Sequence, residues 1–393
     1  YYLHDPRVKP LEYAEETTWH LITTKDFLHY ENCGEAIARG GKEERNRNIY
    51  TGSVLRDPNG LCTAFYTAYN ADFKTDGRSV QSVMMAQGQT PETLRTVENF
   101  YMVADGDLYE PFDWRDPYVF YSGEDHCYYM LLAARLSGSG ERRGGCIAMC
   151  KSQDMKTWTT CKPFYAPNLY ITMECPEVFQ MGDWWYLVFS TFSDRFTTHY
   201  RKAKSLHGPW LIPKDDVFDG RANYAIKTAS DGKRRFAFGW IASRAGETDF
   251  GPWEWGGDMH VHEVVQDENG DLHCKELDSM ANRFSSAELS APSSPFGDAA
   301  RTEDGWRLQA EGFGALQSPV PDTFRLEITV KPESDCEFGL AVNTDELLEK
   351  GYFLRFKDGW MALDLWPRIP FPGMYQWQIG GDQPFQIATM RFL

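Results

Sequence analysis

Two carboxylates stand apart from the solvated majority by the residues on their C-terminal side. Asp116 lies in Phe112-Asp113-Trp114-Arg115-Asp116-Pro117-Tyr118, and Glu174 in Thr172-Met173-Glu174-Cys175-Pro176-Glu177-Val178-Phe179. In each, an acid precedes a proline and then an apolar strand. The guanidinium of Arg115 can hold Asp116 ionised, and Pro117 fixes the chain at the strand entrance. Acids at matching strand starts of neighbouring sheets would converge on one point. Cleavage of a glycosidic bond requires that convergence: one carboxylic acid protonates the leaving oxygen while others attack or position the sugar. Each motif taken singly reads equally well as a strand-entry turn; the pairing is what points to chemistry.

The elements that must position these acids are strands. Asn48 to Leu55, Leu61 to Tyr69, Tyr118 to Ser122, Cys127 to Ala134, Val178 to Met181, Trp184 to Thr191 and Phe236 to Ala242 are short aromatic or β-branched runs. Turn residues such as Asp57-Pro58-Asn59-Gly60, Ser122-Gly123-Glu124-Asp125 and Asp231-Gly232 separate them. Helical periodicity is nearly absent, with Thr90 to Asn99 a short helix at most. A weak repeat links Thr24-Lys25-Asp26-Phe27-Leu28-His29-Tyr30 to Ser152-Gln153-Asp154-Met155-Lys156-Thr157-Trp158, with Ala203 to Trp210 a looser third copy turning at Gly208-Pro209. An Asp-initiated turn followed by an outer aromatic, recurring along an all-β chain, argues for propeller blades; unrelated hairpins are the plainer reading.

The chain has 393 residues, 42% hydrophobic and 25% charged, which suits two domains or one large β architecture. No run approaches the roughly 18 apolar residues of a membrane span. A net charge of −17 disfavours nucleic acid and anionic membrane as partners. Aromatics at 15% suit both sheet packing and stacking on sugar rings. Nine cysteines without a CxxC pair fit neither a disulfide framework nor a zinc ribbon, so a reducing, cytoplasmic setting is expected. The chain opens at Tyr1 without Met, so its start need not be the gene's start. Around 283 to 300 the composition turns to Ser, Ala, Pro and Gly, reading as a linker between a domain at 1–283 and one at 284–393. Beyond it, Arg325 to Lys331, Phe338 to Val342, Phe353 to Phe356 and Met361 to Leu365 alternate as the strands of a partial β-sandwich.

Arg115-Asp116-Pro117, Glu174-Cys175-Pro176 and Tyr50-Thr51-Gly52-Ser53 resemble, in order, the RDP, EC and W/F-S-G-S signatures of glycoside hydrolase family 32, the β-fructosidases. Trp19-His20 with Thr24 to Tyr30, Asp219-Gly220 with Tyr224-Ala225 and Phe238-Gly239-Trp240, and Trp255-Gly256-Gly257 through Val261-His262-Glu263 match further family segments in order, with His262 where the pattern has Arg. The resemblance spans roughly residues 1 to 275. It implies a five-bladed β-propeller followed by a β-sandwich, and a retaining, metal-free hydrolysis of sucrose or fructans with no cofactor. Glu174 would be the general acid/base, and Asp116 the transition-state stabiliser with Arg115 beside it. Trp19, Tyr50, Thr51, Asp219, Tyr224 and Trp255 would contact the sugar, although a Trp in a propeller is often blade core.

The nucleophile departs from the pattern. The family's Asp lies in a Trp-x-Asn-Asp-Pro-Asn-Gly motif upstream of a stretch that Tyr1-Tyr2-Leu3-His4-Asp5-Pro6 resembles, with Leu3 in place of Gln, so that Asp is expected before Tyr1. Asp57-Pro58-Asn59-Gly60 spells part of the motif but sits where a hairpin turn belongs. His260 and His262 with Asp258 suggest a metal, yet alternate strand positions need not share a side with a third ligand, and structural histidines are the expectation. Two other readings stay open. One is a related five-bladed furanosidase acting on arabinosides or xylosides, and the other a carbohydrate-binding protein with a dead site.

Overall fold

The computed structural model describes residues 1–6, 16–194, 196–217, 219–220, 223–247, 253–285, 291–366 and 386–391, and leaves the side chains of 253, 255, 364–366 and 386–391 undescribed. Two compact units emerge, Tyr1–Met280 and Ala281–Leu393. The first holds five antiparallel sheets. They are β1 (Tyr2–His4), β2 (Thr18–Thr24) and β3 (Tyr30–Ile37); β4 (Asn48–Arg56), β5 (Cys62–Thr75), β6 (Arg78–Gly88) and β7 (Arg95–Met102); β8 (Tyr109–Ser122), β9 (Cys127–Leu136), β10 (Gly145–Ser152) and β11 (Thr159–Tyr165); β12 (Glu174–Met181), β13 (Trp184–Thr191) and β14 (Thr197–Ala203); and β15 (Asn223–Ser230), β16 (Arg235–Arg244), β17 (Trp253–Gln266) and β18 (Leu272–Lys275).

The core explains why the sheets form a ring. Trp19 and Ile37 of the first sheet pack on Ile49, Ala64 and Tyr66 of the second. Phe65, Val83 and Met85 of the second pack on Trp114, Val119 and Met130 of the third. Leu131 and Ile147 then meet Val178, Leu187 and Phe189 of the fourth, while Phe179, Tyr186 and Tyr200 meet Ile226 and Ala237 of the fifth. Phe27 in the first sheet's outer turn lies 4.7 Å from Phe236 in the fifth, which closes the circle. Each sheet thus buries both faces against its neighbours, and radial repetition leaves only short edges unpaired.

The repeat seen in the sequence is a repeated turn. Phe27 N–H donates to Thr24 Oγ1 (2.8 Å), while Leu28 and His29 N–H donate to Asp26 Oδ1 (both 2.9 Å). Met155 N–H donates likewise to Ser152 Oγ (2.9 Å), and Lys156 and Thr157 N–H to Asp154 Oδ1 (both 2.8 Å). Phe27 and Met155 share a left-handed φ of 59° and 60°. The looser copy, Ala203 to Trp210, has no Asp and turns through a cis Gly208–Pro209 bond.

Two expectations are corrected. The stretch from Thr90 is not helical: Arg95–Met102 is strand β7, whose Thr96, Val97 and Tyr101 favour a ladder with β6 over a helix. Arg325 to Lys331 forms no strand. The second unit contains the ladders of β19 (Ser293–Phe296) with β22 (Ala315–Gln317) and β20 (Asp298–Thr302) with β21 (Gly305–Gln309). It also holds an antiparallel sheet of β23 (Phe338–Val342), β24 (Gly351–Lys357), β25 (Trp360–Trp366) and β26 (Gln386–Arg391). All nine cysteines are free thiols, and among the described residues no helix is long and apolar enough to cross a membrane.

Candidate active site

Strands β4, β8, β12 and β15 each open a sheet, and each breaks register; β8 also slips earlier, between Tyr109 and Trp114. The ladder slips between Ile49 and Gly52, between Arg115 and Tyr118, between Glu174 and Glu177, and between Tyr224 and Lys227. The residues bulged out are Tyr50-Thr51, Asp116-Pro117, Cys175-Pro176 and Ala225-Ile226. Such bulges re-aim side chains, and a proline that cannot donate to a ladder is tolerated there. Asp116, Cys175 and Ala225 take left-handed φ values of 58°, 51° and 53°. A non-glycine residue in that region costs on the order of 1 kcal/mol, and such strain concentrates at functional sites. Gly52 is required for a different reason: a Cβ there would lie 2.0 Å from the Phe65 carbonyl oxygen.

Hydrogen bonds lock these bulges to one another. Val119 N–H donates to Ser53 Oγ (3.0 Å), and Asp116 N–H to Thr67 Oγ1 (2.7 Å), whose hydroxyl donates to the Thr51 carbonyl (2.9 Å). Cys175 N–H donates to Asp116 Oδ2 (2.9 Å), and Lys227 Nζ to the Pro176 carbonyl (2.8 Å). The strand starts therefore form one bonded belt running β4–β8–β12–β15.

Glu174 sits within that belt between two donors. Arg115 Nη2 reaches its Oε1 at 3.0 Å, and Tyr224 OH donates to its Oε2 at 2.5 Å. Burial pushes the Glu174 carboxyl above its ordinary range and nearby Asp116 adds to the push; the Arg115 charge and the two hydrogen bonds oppose it. The net effect raises the carboxyl's hold on a proton above that of a free glutamate. Burial also works against the charge on Arg115, but Asp116, Glu174 and Asp113 outweigh it and hold the guanidinium ionised. Asp116 is buried at 4% exposure; its Oδ2 carries the Cys175 amide, and its Oδ1 has no hydrogen-bond partner among the described residues. Phe196 lies flat on the Tyr224 ring, with centroids 4.0 Å apart and planes 6° apart.

Glu174, Asp116, Arg115 and Tyr224 are thus brought together, and Arg115 acts on Asp116 through its charge, with no hydrogen bond between the two among the described residues. Its hydrogen bonds run to Asp113 Oδ1, Gln81, Thr172 and Glu174, so it steadies the acid. Thr51 enters through its carbonyl. Tyr50 accepts the Trp19 indole N–H on its carbonyl (2.9 Å). Trp19 itself is 5% exposed and packs in the core between the first two sheets. Asp219 accepts from Asn223 Nδ2 and His262 Nδ1, both at 2.8 Å, and Asn223 directly precedes Tyr224. The Trp255 side chain lies outside the described residues. Asp57 closes the β4–β5 hairpin, its Oδ1 accepting the Leu61 amide at 2.8 Å.

Sequence reasoning missed Asp113, Gln81, Thr67, Thr172 and Phe196. Asp113 was detectable, because two residues before Arg115 on a strand is the same face. Thr172, two residues before Glu174, was likewise within reach of the motif; Gln81 and Thr67 come from the second sheet and Phe196 stacks on Tyr224 from a different blade, and these leave no local signal.

A family model, the glycosyl hydrolases family 32 N-terminal domain, matches residues 1–272. Sucrose-6-phosphate hydrolase from Escherichia coli is 23% identical over 305 residues, covering 69% of this chain and 57% of that protein. The Zymomonas mobilis enzyme of the same name is 22% identical over 192 residues, 44% of this chain and 34% of that protein. The chain therefore spans about a third to just over half the length of these relatives. Among solved structures, fructan 1-exohydrolase IIa from Cichorium intybus superposes with a TM-score of 0.64 at 15% identity, over 92% of this chain and 76% of that one. A fructofuranosidase from Schwanniomyces occidentalis complexed with fructosylnystose gives 0.60 at 16%, over 97% and 76%. The shared fold is a five-bladed β-propeller followed by a β-sandwich.

Proposed function

Because this chain belongs to glycosyl hydrolase family 32, we propose that it cleaves β-fructofuranosyl linkages in sucrose or fructans with retention of configuration. The observation that carries the reading is Glu174, held between Arg115 and Tyr224 with its proton affinity raised. Glu174 protonates the glycosidic oxygen as it leaves the fructosyl carbon, and later takes a proton from the water that frees fructose. Asp116 Oδ1 accepts hydroxyls of the fructosyl ring, while the Cys175 amide on Oδ2 fixes the carboxylate. Arg115 and Tyr224 hold Glu174 in line and set its proton affinity.

The attacking group is proposed to be the aspartate that the family pattern places ahead of the Tyr1–Pro6 stretch. Strands β4, β8, β12 and β15 begin their sheets with a bulge, whereas β1 pairs with β2 in unbroken register, as the second strands β9 and β13 do with β10 and β14. The test is fructose release from sucrose, sucrose 6-phosphate, inulin and levan by the complete gene product. Release from at least one supports the reading and ranks the substrates. Cleavage of aryl arabinofuranosides with none of these four would move the assignment to another furanoside. Binding of a fructan without release would make the protein a carbohydrate binder.

A further inference from the structure

Beside the catalytic belt, the fold supplies what His260 and His262 lack in the sequence alone. They alternate on β17 and so share a face, opposite Gly239 and Ala237 of β16. Their rings meet edge-on at 82°, with Nε2 facing Nε2 at 2.9 Å. The third group is not Asp258 but Asp219, from the segment leading into β15; ligand atoms of Asp219, His260 and His262 all lie within 4.8 Å of one another.

We infer that the Nε2 atoms of His260 and His262, with Asp219 behind the His262 ring, form a binding site for one divalent transition-metal ion of the zinc class. Two imidazole nitrogens each about 2.0–2.1 Å from one ion stand about 2.9 Å apart when the angle at the ion is about 90°, so the pair needs little movement to ligate. Asp219 Oδ2 accepts the Nδ1–H of His262 at 2.8 Å, which leaves the His262 Nε2 lone pair facing His260. A carboxylate behind the ligating imidazole is the outer-shell arrangement metal-bound histidines use to fix their tautomer. With its proton on Nδ1, His260 presents a second lone pair to the same point; with it on Nε2, the two rings share only a hydrogen bond. An ion here would tie β17 to the segment entering β15, whose Asn223 also donates to Asp219 and adjoins Tyr224.

Calorimetric titration of the untagged chain with zinc chloride, and with cobalt chloride read by visible absorption, tests the site without reference to fructosidase activity. The inference predicts one equivalent bound and a rise in Tm with zinc. Binding should weaken at least tenfold in both His260→Ala and His262→Ala, and on the order of 10-fold in Asp219→Asn. His4→Ala should leave it intact, although His4 and His20 form another close pair with centroids 4.3 Å apart. No binding at ~1 mM metal, a Kd too weak to matter, would overturn the inference. So would binding that survives both histidine variants or disappears only in His4→Ala. If a variant fails to fold, anomalous scattering at the zinc edge from a soaked wild-type crystal decides: a peak between the two Nε2 atoms supports the site, and its absence there refutes it.

Discussion

Asp154 and Glu174 are both carboxylates at a bend of a propeller blade, and they live under opposite physics. Asp154 sits in an outer turn, fully exposed, and the amides of Thr157 and Lys156 pull its pKa down. Asp26 and Asp231 do the same job in other blades, helped by His29 and by the Arg234 and Lys233 amides respectively. Glu174 sits at an inner bulge, where burial pushes its pKa up. The pH linkage therefore has opposite signs. The turn carboxylates contribute stability at neutral pH that is lost as pH falls through their lowered folded pKa. Glu174 favours the fold when protonated, and that contribution is lost as pH rises through its raised folded pKa. Outer acids use their charge to close turns; at the inner bulges burial raises Glu174's hold on a proton, beside a left-handed Cys175 and Asp116. That difference separates scaffold from site in a chain with 57 acidic residues.

The comparison can be broken at several points. Asp116→Asn keeps the Cys175 amide contact but removes the charge, and should lower fructose release about 10²-fold or more while Tm holds; steady-state kinetics beside thermal melts would show it. Trp19→Ala should instead cost stability, about 3–5 kcal/mol by the usual scale for emptying a buried aromatic, and denaturant melts check this. Tyr224→Phe removes a donor that favours ionised Glu174, so the carboxyl should become harder to deprotonate. Because the acid must be protonated, the alkaline limb of the pH–rate profile should move to higher pH, with kcat changed less than about tenfold. A shift to lower pH would contradict the arrangement. Asp154→Ala should leave kcat and KM unchanged at any pH and only lower Tm, with the deficit shrinking as pH falls.

Much of the fold and part of the site are legible in the sequence. Asp116-Pro117 and Glu174-Cys175-Pro176 signal strands entered through an irregularity, because proline cannot donate to a ladder, and the Asp-turn repeat signals blades. The hidden part depends on long-range geometry. The left-handed φ of Asp116, Cys175 and Ala225 breaks the local preference of those residues and is imposed by bonds from neighbouring sheets. Arg115 turns to Asp113 and Glu174 for charge reasons that adjacency to Asp116 conceals. Trp19 and the β7 strand are decided by packing against the second sheet and by pairing with β6, neither of which a local window contains. Phe196 reaches Tyr224 from a different blade.

The central claim, that Glu174 supplies the proton to the leaving group, is tested most directly by comparing two substrates in Glu174→Ala. The glucose of sucrose leaves as a poor, basic alkoxide and needs that proton; an aryl β-fructofuranoside with an acidic phenol needs it little. The account predicts that sucrose turnover falls by about 10²–10⁴-fold while formation of the fructosyl-enzyme from the aryl substrate is largely preserved. Equal losses on both substrates, or wild-type turnover of sucrose, would contradict it.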